Sequence, residues 1–272
     1  MIVLHHAYNS VCSQKVRLAL FEKGVEWQGE ILDLSKGEQF HPAYMRMNSN
    51  AVVPTLVHEG RVVIESTVIN EYIDDAFDGP SLRPASAHDR ALMRLWTKQP
   101  DEGVHVTVNT LSFAIALRLP VLKMTAEQRE ARINRIPDPV RRDKMREMVE
   151  RGIDSPLVDS ALARFEKLFG DMEAQLAQSH WLAGDTYSLA DIGTAPYVHR
   201  MDRLGLSPMW SRRRPRVTDW LARLRTRSAH HQAFAKYELP EHLKLMADGG
   251  AEAWPAIAKK LAARAGAPLP AA

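Results

Sequence analysis

Ahead of the first helical stretch the chain reads Asn9-Ser10-Val11-Cys12-Ser13-Gln14-Lys15-Val16-Arg17-Leu18. Hydroxyl and thiol side chains there lie beside backbone N–H groups that have no helical partner, at the positive end of a helix dipole. Such a setting favours a bound anion and stabilises a thiolate. An ordinary cap, with Ser10 or Ser13 in the N-cap position, accounts for the same residues. A second group, Val52-Val53-Pro54, precedes a strand-like run. An X–Pro bond at that place can be cis, leaving the Val53 backbone free to pair with an extended peptide. Glu65-Ser66 forms a third group, at a strand-to-helix junction. The Ser66 hydroxyl and nearby N–H groups suit a carboxylate and Glu65 suits an ammonium, the two charges of an α-amino acid head group. A structural proline and a plain cap are the alternative readings of these last two groups.

The elements that must position these residues follow from periodicity. Residues 2–5 read as a strand, Val16 to Phe21 run at helical spacing up to a stop at Gly24, and residues 25–34 return to a strand pattern. Residues 55–58 and 61–64 flank a Glu59-Gly60 turn, and Ser66 is placed to cap a helix through Phe77 before Gly79-Pro80 breaks the chain. This β-α-β-β-α layout predicts a small mixed sheet covered by helices. Beyond residue 87 the strand pattern vanishes, and helical spacing runs over 88–118, 125–150, 158–178, 188–204 and 216–227. The expected organisation is an α/β domain over 1–79, a linker over 80–87, an all-helical domain over 88–245 and a partly disordered extension over 246–272. That extension holds one weak amphipathic stretch at 254–263 and a frayed end. Residues 119–156 exceed what a minimal helical domain needs and read either as a cover for a pocket mouth or as a solvent-exposed hairpin.

Composition sets the outer bounds. With 272 residues, 45% hydrophobic and 25% charged, the chain falls in the globular range and is long enough to bury a large core. The single cysteine excludes an internal disulfide and every multi-cysteine metal site, and it suits a reducing cytoplasm. A net charge of +3 is spread along the chain. The run Arg212-Arg213-Arg214-Pro215-Arg216 lacks interleaved aromatic residues and reads as a solvated loop, so no nucleic-acid partner is expected. His5-His6 and His230-His231 lack a helical i, i+4 pair with a carboxylate, and no metal is expected. The N-terminus lacks the pattern of a signal peptide and no window reaches about 18 uninterrupted apolar residues, so a soluble protein with no membrane partner is expected.

The succession of Ser10 and Cys12 at the first helix, Val53-Pro54, Glu65-Ser66-Thr67 and a helical second half resembles the glutathione S-transferase superfamily. The segment Trp181-Leu182-Ala183-Gly184-Asp185-Thr186-Tyr187-Ser188-Leu189-Ala190-Asp191 adds to the likeness. Physically it is a helix start, with Ser188 as N-cap, Asp191 closing a capping box and Tyr187 stapled to Ile192. The resemblance spans roughly residues 1–240. It implies a thioredoxin-like domain that binds glutathione as co-substrate, an all-α domain that shapes the pocket for the second substrate, and a homodimer. By position, Val53 would pair with the cysteinyl backbone of glutathione, with Pro54 completing the turn. Glu65 and Ser66 would hold its γ-glutamyl head, Gln39 would meet its glycyl end, and Ser10 would stand among the binding residues. Two departures weaken the glycyl contacts: Ser49 follows Asn48 where a proline is usual, and Val52 replaces a lysine or glutamine. Trp96, His105, Asn109, Phe113 and Tyr197 fall on helices that face the pocket in this superfamily; each reads equally well as core, and only Tyr197 is taken as a substrate-side residue.

Within the superfamily the signals divide. Glu65-Ser66-Thr67-Val68-Ile69, Arg94-Leu95-Trp96-Thr97-Lys98 and Arg135-Ile136-Pro137-Asp138-Pro139 are similar to bacterial glutathione-dependent β-etherases, whose serine position matches Ser13. Ser10-Val11-Cys12-Ser13 and the run from Met47 to Val57 are similar to tetrachlorohydroquinone reductive dehalogenases, in which the matching cysteine is the working thiol. If Ser13 acts, its hydroxyl donates to the glutathione thiolate, which attacks an apolar or aromatic electrophile. If Cys12 acts, its thiolate resolves a glutathionyl adduct by thiol–disulfide exchange. The expected function is a cytoplasmic glutathione transferase with β-aryl ether cleavage first. A Cys12-dependent dehalogenase or deglutathionylase and a non-catalytic binding protein are the alternatives.

Overall fold

The computed structural model describes residues 1–265; the frayed end expected beyond them lies outside the described residues. The first unit runs β1 (Ile2–His6), α1 (Val11–Lys23), β2 (Gln28–Ile31), α2 (Pro42–Met45), β3 (Thr55–His58), β4 (Arg61–Ile64) and α3 (Ser66–Ala76). The sheet order is β2-β1-β3-β4, with β1 and β2 parallel and the other pairs antiparallel. Ile2, Leu4 and His6 alternate into the core, whereas Gln28–Ile31 is exposed throughout, as suits a polar edge strand. The β-α-β-β-α layout predicted from the sequence is therefore present, with a short α2 added and the second strand confined to 28–31.

Helix α1 ends where expected, at Gly24 in a left-handed conformation, φ 71°. It begins earlier than the apolar spacing suggested, because Ser10 caps it by accepting the Ser13 N–H. At α3 the expected cap is corrected. Glu65 occupies the N-cap position with φ 67° and ψ 111° and no side-chain cap bond, and Ser66 is the first helical residue.

The helical unit comprises α4 (Ala87–Gln99), α5 (His105–Ser112), α6 (Arg118–Leu122), α7 (Ala126–Asn134), α8 (Pro139–Arg151), α9 (Pro156–Leu176), α10 (Leu189–Arg203), α11 (Pro215–Arg225), α12 (Ser228–Ala233) and α13 (Pro240–Ala265). Two π-helical turns, Pro100–Val104 and Phe113–Leu117, join α4, α5 and α6 into one run. That 36-residue run, Ala87–Leu122, is long and apolar enough by length and composition to cross a membrane. Here Met93, Trp96, Val104, Val108, Leu111 and Ile115 are buried in the core shared with α9 and α10. The helix expected over 125–150 divides into α7 and α8 at Pro137 and Pro139, and Pro139 opens α8.

The extension proposed from residue 246 is not separate in the structure. Helix α13 runs continuously through that position and buries Met246 and Ile257. Its Gly249-Gly250 pair and Pro255 hid the helical pattern, because both are poor helix formers. The linker also packs. Asp74, almost fully buried, takes the Lys23 ammonium at 2.8 Å, the Arg83 guanidinium at 2.7 Å and the Leu82 N–H at 2.8 Å. Leu82 O in turn accepts the Leu189 N–H of α10 at 2.8 Å. Buried Arg17 of α1 donates to Ala7 O, Tyr8 O and Ala233 O, tying the β1–α1 connection to α12.

Candidate functional site

The start of α1, the start of α3 and the helices α5 and α10 converge on Cys12. Its Sγ lies 3.4 Å from His105 Nδ1 and 4.0 Å from the Tyr197 hydroxyl, and the Ser66 hydroxyl favours its thiolate. Asn109 Nδ2, one helical turn beyond His105, stands 3.0 Å from His105 Nε2. That contact orients the ring so that Nδ1 faces the sulfur. Burial pushes the Cys12 thiol up. The charge and hydrogen bond of His105, the Lys15 ammonium and the Ser66 hydroxyl outweigh it and bring the pKa down to about 7.

Around this thiol runs a second set of bonds. Lys15, buried, donates to Thr67 Oγ1 at 2.9 Å, and Thr67 donates to Asp101 Oδ1 at 3.1 Å. Asp101 lies in the first π turn, which directly precedes His105. Gly103 there takes φ 137°, so the backbone breaks helical geometry between these two side chains. Tyr197 is 1% exposed, sits edge-on to His105 and holds its phenol proton well above the ordinary range, because of burial and the neighbouring Cys12.

The residues singled out in the sequence separate into groups. Ser10, Cys12, Ser66 and Tyr197 belong to the junction just described. Ser13 does not: it is fully buried, and its hydroxyl accepts the Ala7 N–H at 3.2 Å inside the β1–α1 connection. Its hydroxyl is thus turned into the β1–α1 connection and not towards Cys12, where the sequence reading had placed the donor to a thiolate. The Val53–Pro54 bond is cis, and Val53 packs against Ala7 and Tyr44. Among the described residues no backbone group takes the Val53 N–H or C=O. Asn48 and Tyr44 hold the flanks of this turn, both donating to Val52 O and both bonded to Thr55 Oγ1. Glu65 is exposed, its carboxylate without an ion pair among the described residues, on a backbone conformation that non-glycine residues rarely adopt. Gln39 lies on a 3-10 turn, Glu38–Phe40, apart from the Cys12 group, with Oε1 buried and unpartnered.

Sequence reasoning placed His105 and Asn109 on a pocket-facing helix but missed their bonds to Cys12 and to each other. It quoted Lys15 and Thr67 within motifs without giving them a role, and it missed Asp101. No local signal links residues so distant in the chain. Among the described residues no group of three or more His, Cys, Asp and Glu is placed to hold a metal. His6 bonds to Arg17 and His230 stacks on Phe234. Arg214 and Arg216, from the basic run, pair with Glu166 and Glu173 of α9.

Comparison with known proteins identifies the framework. Residues 9–76 match the family "Glutathione S-transferase, N-terminal domain", and residues 131–223 match "Glutathione S-transferase, C-terminal domain". Protein LigF of Sphingobium sp. strain SYK-6 is 34% identical over 238 residues, covering 85% of this chain and 92% of that protein. The crystal structure of that protein, described as a β-etherase, superposes with a TM-score of 0.79 at 33% identity, over 86% of this chain and 99% of the other. The tetrachloro-p-hydroquinone reductive dehalogenase of Sphingobium chlorophenolicum is 28% identical, covering 85% of this chain and 95% of that enzyme. A junction that gathers thiol chemistry at the start of α1, on this fold and with these relatives, places the chain in the glutathione S-transferase family of enzymes.

Proposed function

We propose that this protein is a cytoplasmic, homodimeric transferase that uses the thiolate of glutathione to cleave an aromatic ether, within the catabolism or detoxification of aromatic compounds. The observation that carries the reading is the junction at Cys12, where the starts of α1 and α3 meet α5 and α10. The similarity to the β-etherase LigF directs it to ethers. Glutathione lies with its γ-glutamyl head at Glu65 and Ser66 and its cysteinyl backbone along Val53. Its sulfur then meets the start of α1. Ser10 is the hydroxyl suited to hold it: half-buried, with Oγ accepting the Ser13 N–H, it keeps its own proton free to donate. The thiolate attacks the ether carbon, a C–S bond forms, the C–O bond breaks and a phenolate departs to take a proton. Half-buried His105, on the helical-domain side of Cys12, is the group placed to meet the aromatic ring, and Tyr197 packs edge-on against it.

One observation favours a second reading, in which Cys12 itself reacts. A half-buried thiol with a lowered pKa and a hydrogen-bonded histidine is equipped for exchange. Its thiolate would attack the glutathionyl sulfur of a mixed disulfide and release the other thiolate. A second glutathione would then regenerate Cys12 and leave as glutathione disulfide.

Phenol release from a β-aryl ether in the presence of glutathione separates the two. On the first reading Ser10→Ala lowers kcat/KM by about a hundredfold, and Cys12→Ser keeps most of the activity. No phenol release by the wild type, together with reduction of a glutathionyl mixed disulfide that Cys12→Ser abolishes, overturns it in favour of thiol exchange. The dimer is supported by exposed Val68 on α3 and Leu95 on α4, 56% and 62% accessible, beside the Glu71–Arg94 pair that bridges the two helices. Leu95→Glu is expected to give a monomer in sedimentation equilibrium.

A further inference from the structure

Two contacts chain Cys12, His105 and Asn109 together: Cys12 Sγ to His105 Nδ1 at 3.4 Å and His105 Nε2 to the Asn109 amide at 3.0 Å. A thiol, an imidazole and an amide that fixes the ring are the parts of an acyl-transferring nucleophile. Once the thiol proton has moved to His105, both ring nitrogens carry a proton, and the Asn109 amide then offers its oxygen to Nε2–H. Cys12 and His105 are half-buried and Asn109 is exposed, so a substrate and water can reach the pair. The start of α1 adds donors for a carbonyl oxygen. Ser10 takes the Ser13 and Gln14 N–H groups, whereas among the described residues those of Val11 and Cys12 find no acceptor. Val11 is 3% exposed, which leaves its donor poorly hydrated. A nucleophile's own N–H and a neighbouring one are what hold a carbonyl oxygen as it becomes an oxyanion. Disulfide exchange puts no charge on oxygen and uses neither donor.

We propose that Cys12 and His105, positioned by Asn109, hydrolyse thioesters of glutathione, with the N–H groups of Val11 and Cys12 as the oxyanion hole. This rests on the glutathione reading above, which brings the sulfur of the tripeptide, and with it the acyl carbon bonded to that sulfur, to the start of α1. The Cys12 thiolate attacks the acyl carbon, a C–S bond forms and the carbonyl electron pair moves onto oxygen. The oxyanion collapses, the bond from carbon to the glutathione sulfur breaks, and the departing thiolate takes the proton held by His105. Water then gives a proton to His105 and attacks acyl-Cys12. A C–O bond forms, the C–S bond to Cys12 breaks and a carboxylic acid leaves. The sum is thioester and water in, glutathione and carboxylic acid out, with nothing oxidised or reduced. Lys15 supplies positive charge that keeps Cys12 a thiolate for the next turnover.

S-Acetylglutathione is the probe, its hydrolysis followed by loss of thioester absorbance, with glutathione binding measured alongside by calorimetry. The wild type is expected to hydrolyse it with saturation and to carry an acetyl group on Cys12 in mass spectra of quenched samples. Cys12→Ala should abolish turnover. His105→Ala should lower kcat by about a hundredfold or more, with acetyl-Cys12 building up because water lacks its base. Asn109→Ala, at an exposed position, should lower kcat by less at unchanged KM, and Asn109→Asp, which still accepts from Nε2–H, should keep more activity than the alanine variant. A wild type that binds glutathione yet hydrolyses the thioester no faster than buffer, or a Cys12→Ala variant as fast as the wild type, overturns the proposal and leaves the glutathione reading intact. Neither binding nor hydrolysis by the wild type overturns both.

Discussion

At the scale of the residue, reactivity is set by which groups converge on one sulfur. Cys12 is held by a histidine and a tyrosine from the helical domain, and the Ser66 hydroxyl at the start of α3 favours its thiolate. Its thiolate should therefore persist to lower pH than that of an ordinary cysteine. Alkylation by iodoacetamide is expected to follow a titration centred near pH 7. His105→Ala removes both the charge and the hydrogen bond that offset burial, so the midpoint moves upward and the rate at pH 7 falls. Asn109→Ala should move it less, since it acts only by orienting the ring. An unchanged midpoint in His105→Ala would show that α1 and Lys15 alone stabilise the thiolate. The position of Cys12 beside a helix start was legible in the sequence, and so was the likelihood of a lowered pKa there. Its partner 93 residues away was not, because only the kink at Pro100–Val104 brings His105 to it.

At the scale of the element, the helices differ in how plainly their sequences declare them. Ser188 and Asp191 form the capping box expected of α10, and Asp191 also takes the Leu182 N–H and the Trp220 indole, so a local signal is reinforced by tertiary bonds. Tyr187 packs edge-on against Trp181 and under the Arg227 guanidinium. Helix α13 shows the reverse. Its glycine pair weakens the helix locally, yet a Cβ on Gly249 would strike the Ile115 carbonyl in the second π turn, and one on Gly250 would strike Leu204 O. The glycines exist for close approach, which residue propensity cannot reveal. Gly249→Ala or Gly250→Ala is expected to destabilise by about 1–3 kcal/mol or more, read as a fall in Tm. Gly170→Ala on α9 meets nothing within 4 Å and should be neutral or stabilising by up to about 1 kcal/mol. Loss of stability at Gly170 alone would contradict this packing account.

At the scale of the whole molecule, the two domains are joined through buried charge. Arg17 reaches α12 from α1, Arg200 of α10 reaches Asn9, and Asp74 fastens the linker to the first domain. Buried histidines sit close to these joints. His6, beside Arg17, and His230, beside His199, are each lowered from 6.5 to about 3, chiefly by burial and then by those neighbours. Between those values the unfolded chain binds more protons than the folded one, so stability is complete above pH 6.5 and declines as pH falls towards 3. The slope is about 1.4 kcal/mol per pH unit for each histidine. Urea midpoints between pH 7.5 and pH 5 should fall accordingly, and His230→Phe, which preserves the stack on Phe234, should flatten the curve. A midpoint independent of pH over that range would mean that these histidines are solvated in the folded state.

Taken alone, the sequence determined what depends on neighbours in the chain. Turn chemistry at Gly24 and Glu59-Gly60, period-2 and helical spacing, the caps at Ser10 and Ser188 and the prolines at 54, 137 and 139 are local, and they were sufficient for the sheet, most helices and the family resemblance. Tertiary structure decided what depends on contact between distant segments. It buried Ser13 inside the β1–α1 connection, set His105 and Tyr197 against Cys12, ran α13 past residue 246 on its glycines and laid the arginines of α7 and α8 against the 33–50 loop. The physical reason is common to all four. A side chain's accessibility and charge environment are properties of the packed interior, where elements far apart in sequence share one low-dielectric space.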